Sequence, residues 1–265
     1  VDARAPGANP GRFVESKDEL VVDMDFSNAA KDLSGNGYDG VFSGGAAVSE
    51  AEGKTVLQLD GTGSLSLPFN SIGYPYTAKI EVKISADTPA DTLIFAGADG
   101  ELYANVDGTG HPGFKRGYHD GTQHVGYTFV WESVTLPVDQ WFTLVLTCDA
   151  ANTTLYLNGT AQTRAVMTAE SRNNGFQETP KISGAVPNDS STFILPVERI
   201  GENLKGELAG FQLYNRVLTA EEVEDLTPVD PDKPINVALK KPATASTCYP
   251  GKPWTADKAV DGIVD

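Results

Sequence analysis

Apolar and β-branched residues recur along this chain in short runs, several of which alternate with polar residues at a period of two. Leu20–Phe26 (LVVDMDF), Thr55–Leu59 (TVLQL), Ser64–Leu67 (SLSL), Lys79–Ile84 (KIEVKI), Thr92–Ala96 (TLIFA), Trp141–Thr147 (WFTLVLT), Thr153–Leu157 (TTLYL) and Glu207–Tyr214 (ELAGFQLY) are examples. A strand turns successive side chains to opposite faces, so this alternation suits a strand buried on one side. An amphipathic helix would need apolar residues every three or four positions instead. Glycine (27) and proline (16) separate the runs throughout. Many short strands with turn signals between them predict an all-β fold, a sandwich or barrel.

The turns are legible in the same way. Asn158-Gly159, between TTLYL and TAQTR, is a hairpin signal, because a type I′ turn needs positive φ at both central residues. Asp107-Gly108 and Asp120-Gly121 read similarly. One helix is predicted, over Ala220–Leu226. Thr219 is its N-cap and Glu222, three residues on, completes a capping box; the acidic first turn suits the helix dipole, and Pro228 ends it. Pro228, Pro231 and Pro234 then make a stiff, extended spacer. The chain therefore divides into a lead-in or linker (1–17), a β domain (18–227), a proline-rich linker (228–235) and a segment with a new pattern (236–265).

Composition removes several classes of partner. Asp and Glu number 36 against 20 Lys and Arg, a net charge of -16. Such a surface repels phosphate backbones and anionic lipid, so neither nucleic acid nor an anionic membrane is expected as partner. No apolar run approaches the ~18 residues that a membrane-spanning helix requires. Cys148 and Cys248 fall in different predicted domains, which argues against a disulfide between them. Val1 is not an initiator methionine, and the chain reads as a piece of a longer protein.

Three ordered motifs carry a family resemblance. Asp32–Gly40 (DLSGNGYDG) follows the strand bearing Asp25-Phe26; Leu155–Gly159 (LYLNG) follows Asp139–Phe142; and Gly206–Leu208 leads to Leu213–Glu222 (LYNRVLTAEE). Together they resemble the laminin-G-like branch of the concanavalin-type jelly-roll lectins. The resemblance implies a concanavalin-like jelly-roll β-sandwich of antiparallel sheets with one short C-terminal helix. Within it, Tyr127–Phe129, Leu136-Pro137, Gln140-Trp141, Thr154–Gly159 and Thr192–Gly201 look like the β-sandwich that trails family 20 glycoside hydrolases, the β-N-acetylhexosaminidases and lacto-N-biosidases. Asn236–Ser246 with Lys258–Gly262 resembles the opening of a discoidin-type (coagulation-factor type C) carbohydrate-binding domain, cut off before its ligand loops.

What these resemblances imply is a non-catalytic accessory region, carbohydrate-binding or positioning, of a secreted or cell-surface bacterial glycosidase, a β-N-acetylhexosaminidase acting on host glycans. Its partners would be glycans or the parent catalytic domain, and it would be a monomer. The family 20 signature is an adjacent Asp-Glu pair on a barrel strand end. The pair Asp18-Glu19 lies in a polar lead-in, and no strand–helix alternation exists to build a barrel, so the catalytic domain is expected upstream. A jelly-roll enzyme is disfavoured by the lack of a paired-carboxylate strand motif, and a serine hydrolase by the lack of a Gly-x-Ser-x-Gly elbow.

Two sets of candidate residues follow. Sugars are held by aromatic faces and by polar side chains that read hydroxyls. The stretch 114–131 is dense in both, and Tyr118, His119 and Trp131 are its candidates for carbohydrate binding. The alternative is that Tyr127, Phe129 and Trp131, spaced by two, all face the core; Trp141 and Phe142 read as core or sheet-packing residues. The family often holds one structural calcium, which takes hard oxygen ligands in tight turns. Asp25, Asn36 and Asp60 are the candidates, with turn capping by their own side chains as the alternative. His111, His119 and His124 read as loop histidines, since no zinc-ligand spacing is present. A different function class, a purely structural spacer between catalytic and lectin modules, is favoured by the absence of an obvious exposed aromatic platform.

Overall fold

The computed structural model describes residues 19–98, 100–119, 124–173, 178–180 and 191–227. The alternating runs become strands of two sheets, with antiparallel pairing throughout. The eight-stranded sheet runs in the order β15 (Thr160–Ala161), β14 (Thr153–Leu157), β13 (Trp141–Cys148), β8 (Tyr76–Ile84), β20 (Lys205–Tyr214), β5 (Lys54–Asp60), β4 (Ala47–Ala51). Its eighth strand, β1 (Leu20–Met24), also pairs with β20. The long β20 is shared along its free edge: β5 takes Lys205–Leu208 and β1 takes Phe211–Tyr214.

The nine-stranded sheet runs β17 (Glu178–Pro180), β16 (Val166–Asn173), β12 (His124–Val130), β11 (Gly113–His119), β10 (Gly100–Tyr103), β9 (Leu93–Gly97), β19 (Arg199–Glu202), β6 (Ser64–Ser66), β3 (Val41–Ser43). A small ribbon joins β7 (Ser71–Ile72) to β18 (Leu195–Pro196), and β2 is Ser27–Ala30. This is the all-β sandwich that the period-two pattern and the Gly/Pro punctuation predict.

The core lies between the two sheets and is built by alternation. Tyr76, Ala78, Ile80, Val82 and Ile84 of β8 are buried in it, while Lys79, Glu81 and Lys83 turn to the outer face. Phe142, Leu144, Leu146 and Cys148 of β13 do the same from the next strand. From the other sheet come Leu65, Phe95, Leu102, Phe114, Phe129 and Ile200. Each fully buried Leu, Ile or Phe contributes roughly 1.5–3 kcal/mol relative to exposure, which is what drives the two sheets together. Phe114 is central: its ring stands 4.9 Å from Phe129, 5.4 Å from Trp131 and 4.8 Å from Phe193, centre to centre.

The Asn158-Gly159 hairpin forms as predicted. φ is 50° at Asn158 and 78° at Gly159, the left-handed pair that joins β14 to β15. Asp107-Gly108 also has positive φ at both residues, but it sits in a short 3-10 turn (Val106–Gly108) inside a longer connection from β10 to β11. Asp120-Gly121 lies outside the described residues.

The helix α1 (Ala220–Asp225) carries the full capping box. The Glu222 amide donates to Thr219 Oγ1 (3.3 Å), and the Thr219 amide donates to Glu222 Oε2 (2.8 Å). Arg216 grips the same carboxylate with both terminal nitrogens, at 2.9 and 2.7 Å. The segment packs on the outer face of the eight-stranded sheet, where Leu218 and Val223 bury Val145 and Tyr156 in a second apolar cluster. A division of the chain falls between Thr227 and Pro228. Residues 228–265, with the discoidin-like motif and Cys248, lie outside the described residues. Among the described residues no helix is long and apolar enough to cross a membrane.

Candidate functional site

The outer face of the nine-stranded sheet carries a row of directly paired residues across six strands. Arg199 pairs with Ala96, Ala96 with Glu101, Glu101 with Lys115, Lys115 with Thr128, and Thr128 with Ala169. Directly opposed residues in an antiparallel sheet share a face. Their neighbours Phe95, Leu102, Phe114, Phe129 and Ile200 fill the core, so this row faces outward. Ala96 and Thr128 are short and buried, and the longer Arg199, Glu101 and Lys115 stand beside them in the row. The result is a ribbed surface with low points at small residues and ridges of charged ones.

Tyr103, two residues beyond Glu101, shares this face. Its hydroxyl donates to Glu101 Oε2. The Lys115 ammonium lies 5.2 Å from the centre of the Tyr103 ring and 2.6 Å from Asp107 Oδ1. The glycine opposite Tyr103 makes the arrangement possible. A Cβ on Gly113 would meet Phe129 O at 2.4 Å and Val106 Cγ1 at 2.5 Å, so only glycine lets the 3-10 turn press down and bring Asp107 to Lys115. Burial, then the hydrogen bond to Glu101, raises the Tyr103 pKa well above its ordinary value. Tyr103 is therefore a neutral donor at any physiological pH. At the far end, Arg199 Nε donates to Glu202 Oε2 (2.7 Å) and Arg199 Nη1 stands 3.9 Å from Glu198. Half-buried aromatic surface flanked by fixed donors and acceptors is the chemistry that holds a polyhydroxyl ligand.

Of the carbohydrate-binding residues predicted from sequence, Trp131 belongs to the core. It is fully buried against Phe114, and its amide donates to Pro112 O at 3.0 Å, so its ring offers no face to a sugar. The period-two reading of Tyr127, Phe129 and Trp131 as core residues describes all three. Tyr118 and His119 are the last residues of β11, paired with Val125 and His124; their side chains lie outside the described ones. Of the two residues read as core or sheet-packing, Phe142 is in the core and Trp141 is on the sheet's face. It is partly exposed and stands on the outer face of the eight-stranded sheet, its Nε1 donating to Glu52 Oε2 (2.8 Å) and Lys54 lying 4.8 Å from its ring centre.

The calcium candidates do not converge. Asp25 follows β1 and accepts from the Ser27 amide (2.9 Å) and hydroxyl (2.7 Å). Asn36 sits at the opposite end of that strand, its Nδ2 donating to Leu20 O (2.9 Å) and Val21 O (3.1 Å). Asp60 accepts from the Thr62 amide and hydroxyl, both at 2.8 Å. Asp60 pairs with Lys205, whereas β1 pairs with Phe211 onward, about 20 Å further along β20 at ~3.3 Å per residue. Asp25 and Asp60 thus cap their own turns, and Asn36 ties its loop to β1. Asp32 works in the same way. Burial pushes its pKa up, but donors from Ser34 (side chain, then backbone), Tyr38 and Asp23 outweigh that and hold it below the usual value. Among the described residues, no group of three or more His, Cys, Asp or Glu side chains is placed to hold a metal.

Residues 59–224 match the concanavalin A-like lectin/glucanases superfamily, laminin-G type. No curated protein matches the chain. Among solved structures, domain 4 of AbnA, a GH43 extracellular arabinanase from Geobacillus stearothermophilus, in complex with arabinotriose, is similar over 79% of this chain and 98% of its own, with a TM-score of 0.53 at 18% identity. The binding domain of Paraclostridial Mosquitocidal Protein 1 is similar over 78% of this chain, with a TM-score of 0.49 at 15% identity. The botulinum neurotoxin type G receptor binding domain is similar over 79%, at 0.47 and 12%. This chain spans about half of each toxin domain, 51% in both cases. At 18% identity the likeness to the arabinanase domain shows the fold alone.

Proposed function

This chain belongs to the concanavalin A-like lectin/glucanase superfamily, and from that we propose that its β-sandwich is a carbohydrate-binding module whose glycan lies on the outer face of the nine-stranded sheet. The observation that carries the reading is Tyr103, locked between Glu101 and Lys115 on a ribbed polar surface. That domain 4 of an arabinanase takes arabinotriose on a comparable sandwich supports the ligand class. In the finer reading, the module is a non-catalytic accessory of a secreted or cell-surface glycosidase. The stretches resembling the family 20 trailing sandwich and the discoidin-like opening favour a β-N-acetylhexosaminidase acting on host glycans as the parent. Glycan-array binding followed by titration calorimetry tests the module itself. Tyr103→Ala and Glu101→Ala are expected to weaken the best glycan about tenfold, the loss of roughly 1.4 kcal/mol. Unchanged affinity in both variants would place the ligand elsewhere.

A structural spacer is the second reading. It is favoured by the way the face satisfies itself, with Lys115 on Asp107 and Arg199 on Glu202. An array silent for every glycan, with the fold intact, selects it.

A further inference from the structure

On the opposite sheet, a cleft of about 310 Å³ opens beside Gln58, Asp60, Lys83, Asp139, Lys205 and Glu207. It is organised by register, as the first site is. Trp141 pairs with Lys83, Lys83 with Glu207, and Glu207 with Gln58, one row across four strands. Most of its polar groups are committed to the fold. Glu52 takes Lys83 Nζ on one oxygen (2.5 Å) and Trp141 Nε1 on the other (2.8 Å). Lys205 Nζ donates to Asp87 (2.9 Å), Asp139 accepts from the Ala86 amide (3.1 Å), and Gln58 Nε2 donates to Gly206 O (3.0 Å).

Glu207 is the exception. Its side chain is 17% exposed, and Oε2 is buried with no hydrogen-bond donor among the described residues. The nearest ammonium, Lys83, is 3.9 Å away, beyond hydrogen-bonding reach. A carboxylate so placed lacks a donor, and such a deficit is unfavourable.

We propose that this cleft is a second saccharide site that takes one neutral glycosyl unit, independent of the glycan surface on the other sheet. Charge selects the ligand class. Carboxylates at Asp60, Asp87, Asp139 and Glu207 repel an anionic sugar, while the ammonium groups of Lys83 and Lys205 stand inside the cleft against a cation. Vicinal hydroxyls donate to carboxylates and accept from ammonium groups at once. The volume is at the small end of ligand sites, which begin near ~300 Å³, and suits a single ring better than a chain. Sites on opposite sheets would let one module bridge two glycan strands, gaining affinity through linkage rather than through new contacts.

The test is a ¹⁵N–¹H correlation spectrum of the full chain titrated with arabinose, galactose, glucose and N-acetylglucosamine to about 100 mM, well above a millimolar Kd. Saturable shifts are expected at the Gln58, Lys83 and Glu207 amides with at least one sugar. They should persist in Tyr103→Ala and vanish in Glu207→Ala while the rest of the spectrum stays native. The proposal is overturned if none of the four sugars moves these signals, if the shifts survive both Glu207→Ala and Gln58→Ala, or if calcium chloride moves them and sugars do not. Shifts confined to Tyr103 and Lys115 would overturn this site alone and leave the first standing; shifts confined to the cleft would do the reverse.

Discussion

Phe114 and Lys115 are adjacent on β11 and should respond to truncation in opposite ways. Phe114 is fully buried among three aromatic rings at 4.8 to 5.4 Å, whereas Lys115 faces solvent and pairs with Asp107 at 29% and 43% exposure. Phe114→Ala removes the ring and leaves a cavity, a change that costs about 3–5 kcal/mol in well-packed cores. The three ring contacts, at ~0.5–1.5 kcal/mol each, overlap within that figure and do not add to it. With a urea m-value near ~2.5 kcal/mol/M for a domain of this size, a cost of ~4 kcal/mol lowers the denaturation midpoint by ~1.6 M. Lys115→Ala loses a partly exposed ion pair and the ammonium's contact with the Tyr103 ring, each below ~1 kcal/mol, so its midpoint should move by no more than ~0.8 M while glycan affinity falls. The assay is urea denaturation followed by tryptophan fluorescence, with calorimetric titration of the native variants. If Lys115→Ala shifts the midpoint as far as Phe114→Ala does, the register of β11 is off by one residue and the outward row is the inward one.

Other outcomes follow from the same geometry. Thr219→Ala removes the acceptor of the Glu222 amide and should cost about 1 kcal/mol by urea denaturation. Glu222, held by Arg216 and then by the Thr219 amide, titrates at about 2 instead of its ordinary 4.5. A depressed carboxyl stabilises the fold above its unfolded pKa, and that contribution is lost as pH falls from 4.5 through 2. The melting-temperature gap between the native chain and Glu222→Gln should therefore be widest above pH 4.5 and close towards pH 2; a gap constant over that window would contradict the pairing. Cys148 is buried, with Thr153 Oγ1 and the Phe193 amide donating to its sulfur, and burial pushes its thiol up to about 11. In a Cys248→Ser background it should stay unreactive to an aromatic disulfide reagent at pH 8 until the fold is denatured.

The fold is legible in the sequence because its signals are local. Each strand of a half-buried sheet must alternate whatever its partner is, so KIEVKI and WFTLVLT mark strands without knowledge of which strands pair. Thr219 and Glu222 announce their helix because the capping box closes within four residues, and Asn158-Gly159 announces its hairpin because the turn needs two residues of positive φ. The candidate site is less legible for the opposite reason. Tyr103, Glu101, Lys115 and Asp107 come from β10, β11 and the turn between them, and Arg199 comes from a strand nearly a hundred residues later. Nothing in their spacing shows that they share a face.

Alternation alone also leaves the choice of face open. From sequence, Trp131 and Trp141 are both tryptophans flanking apolar runs. Trp131 falls in phase with Phe129 and Tyr127, and that phase turned out to point inward. Trp141 is in phase with Thr143 and Val145, and Val145 is buried only because the segment from Leu218 to Val223 folds back over it. The sequence by itself determined that this chain forms half-buried strands, a tight hairpin and a capped helix, since backbone dihedrals and side-chain period are set within a few residues. Only the tertiary structure decided which faces meet, because hydrophobic burial is non-directional and pairing between distant strands depends on the whole sandwich closing.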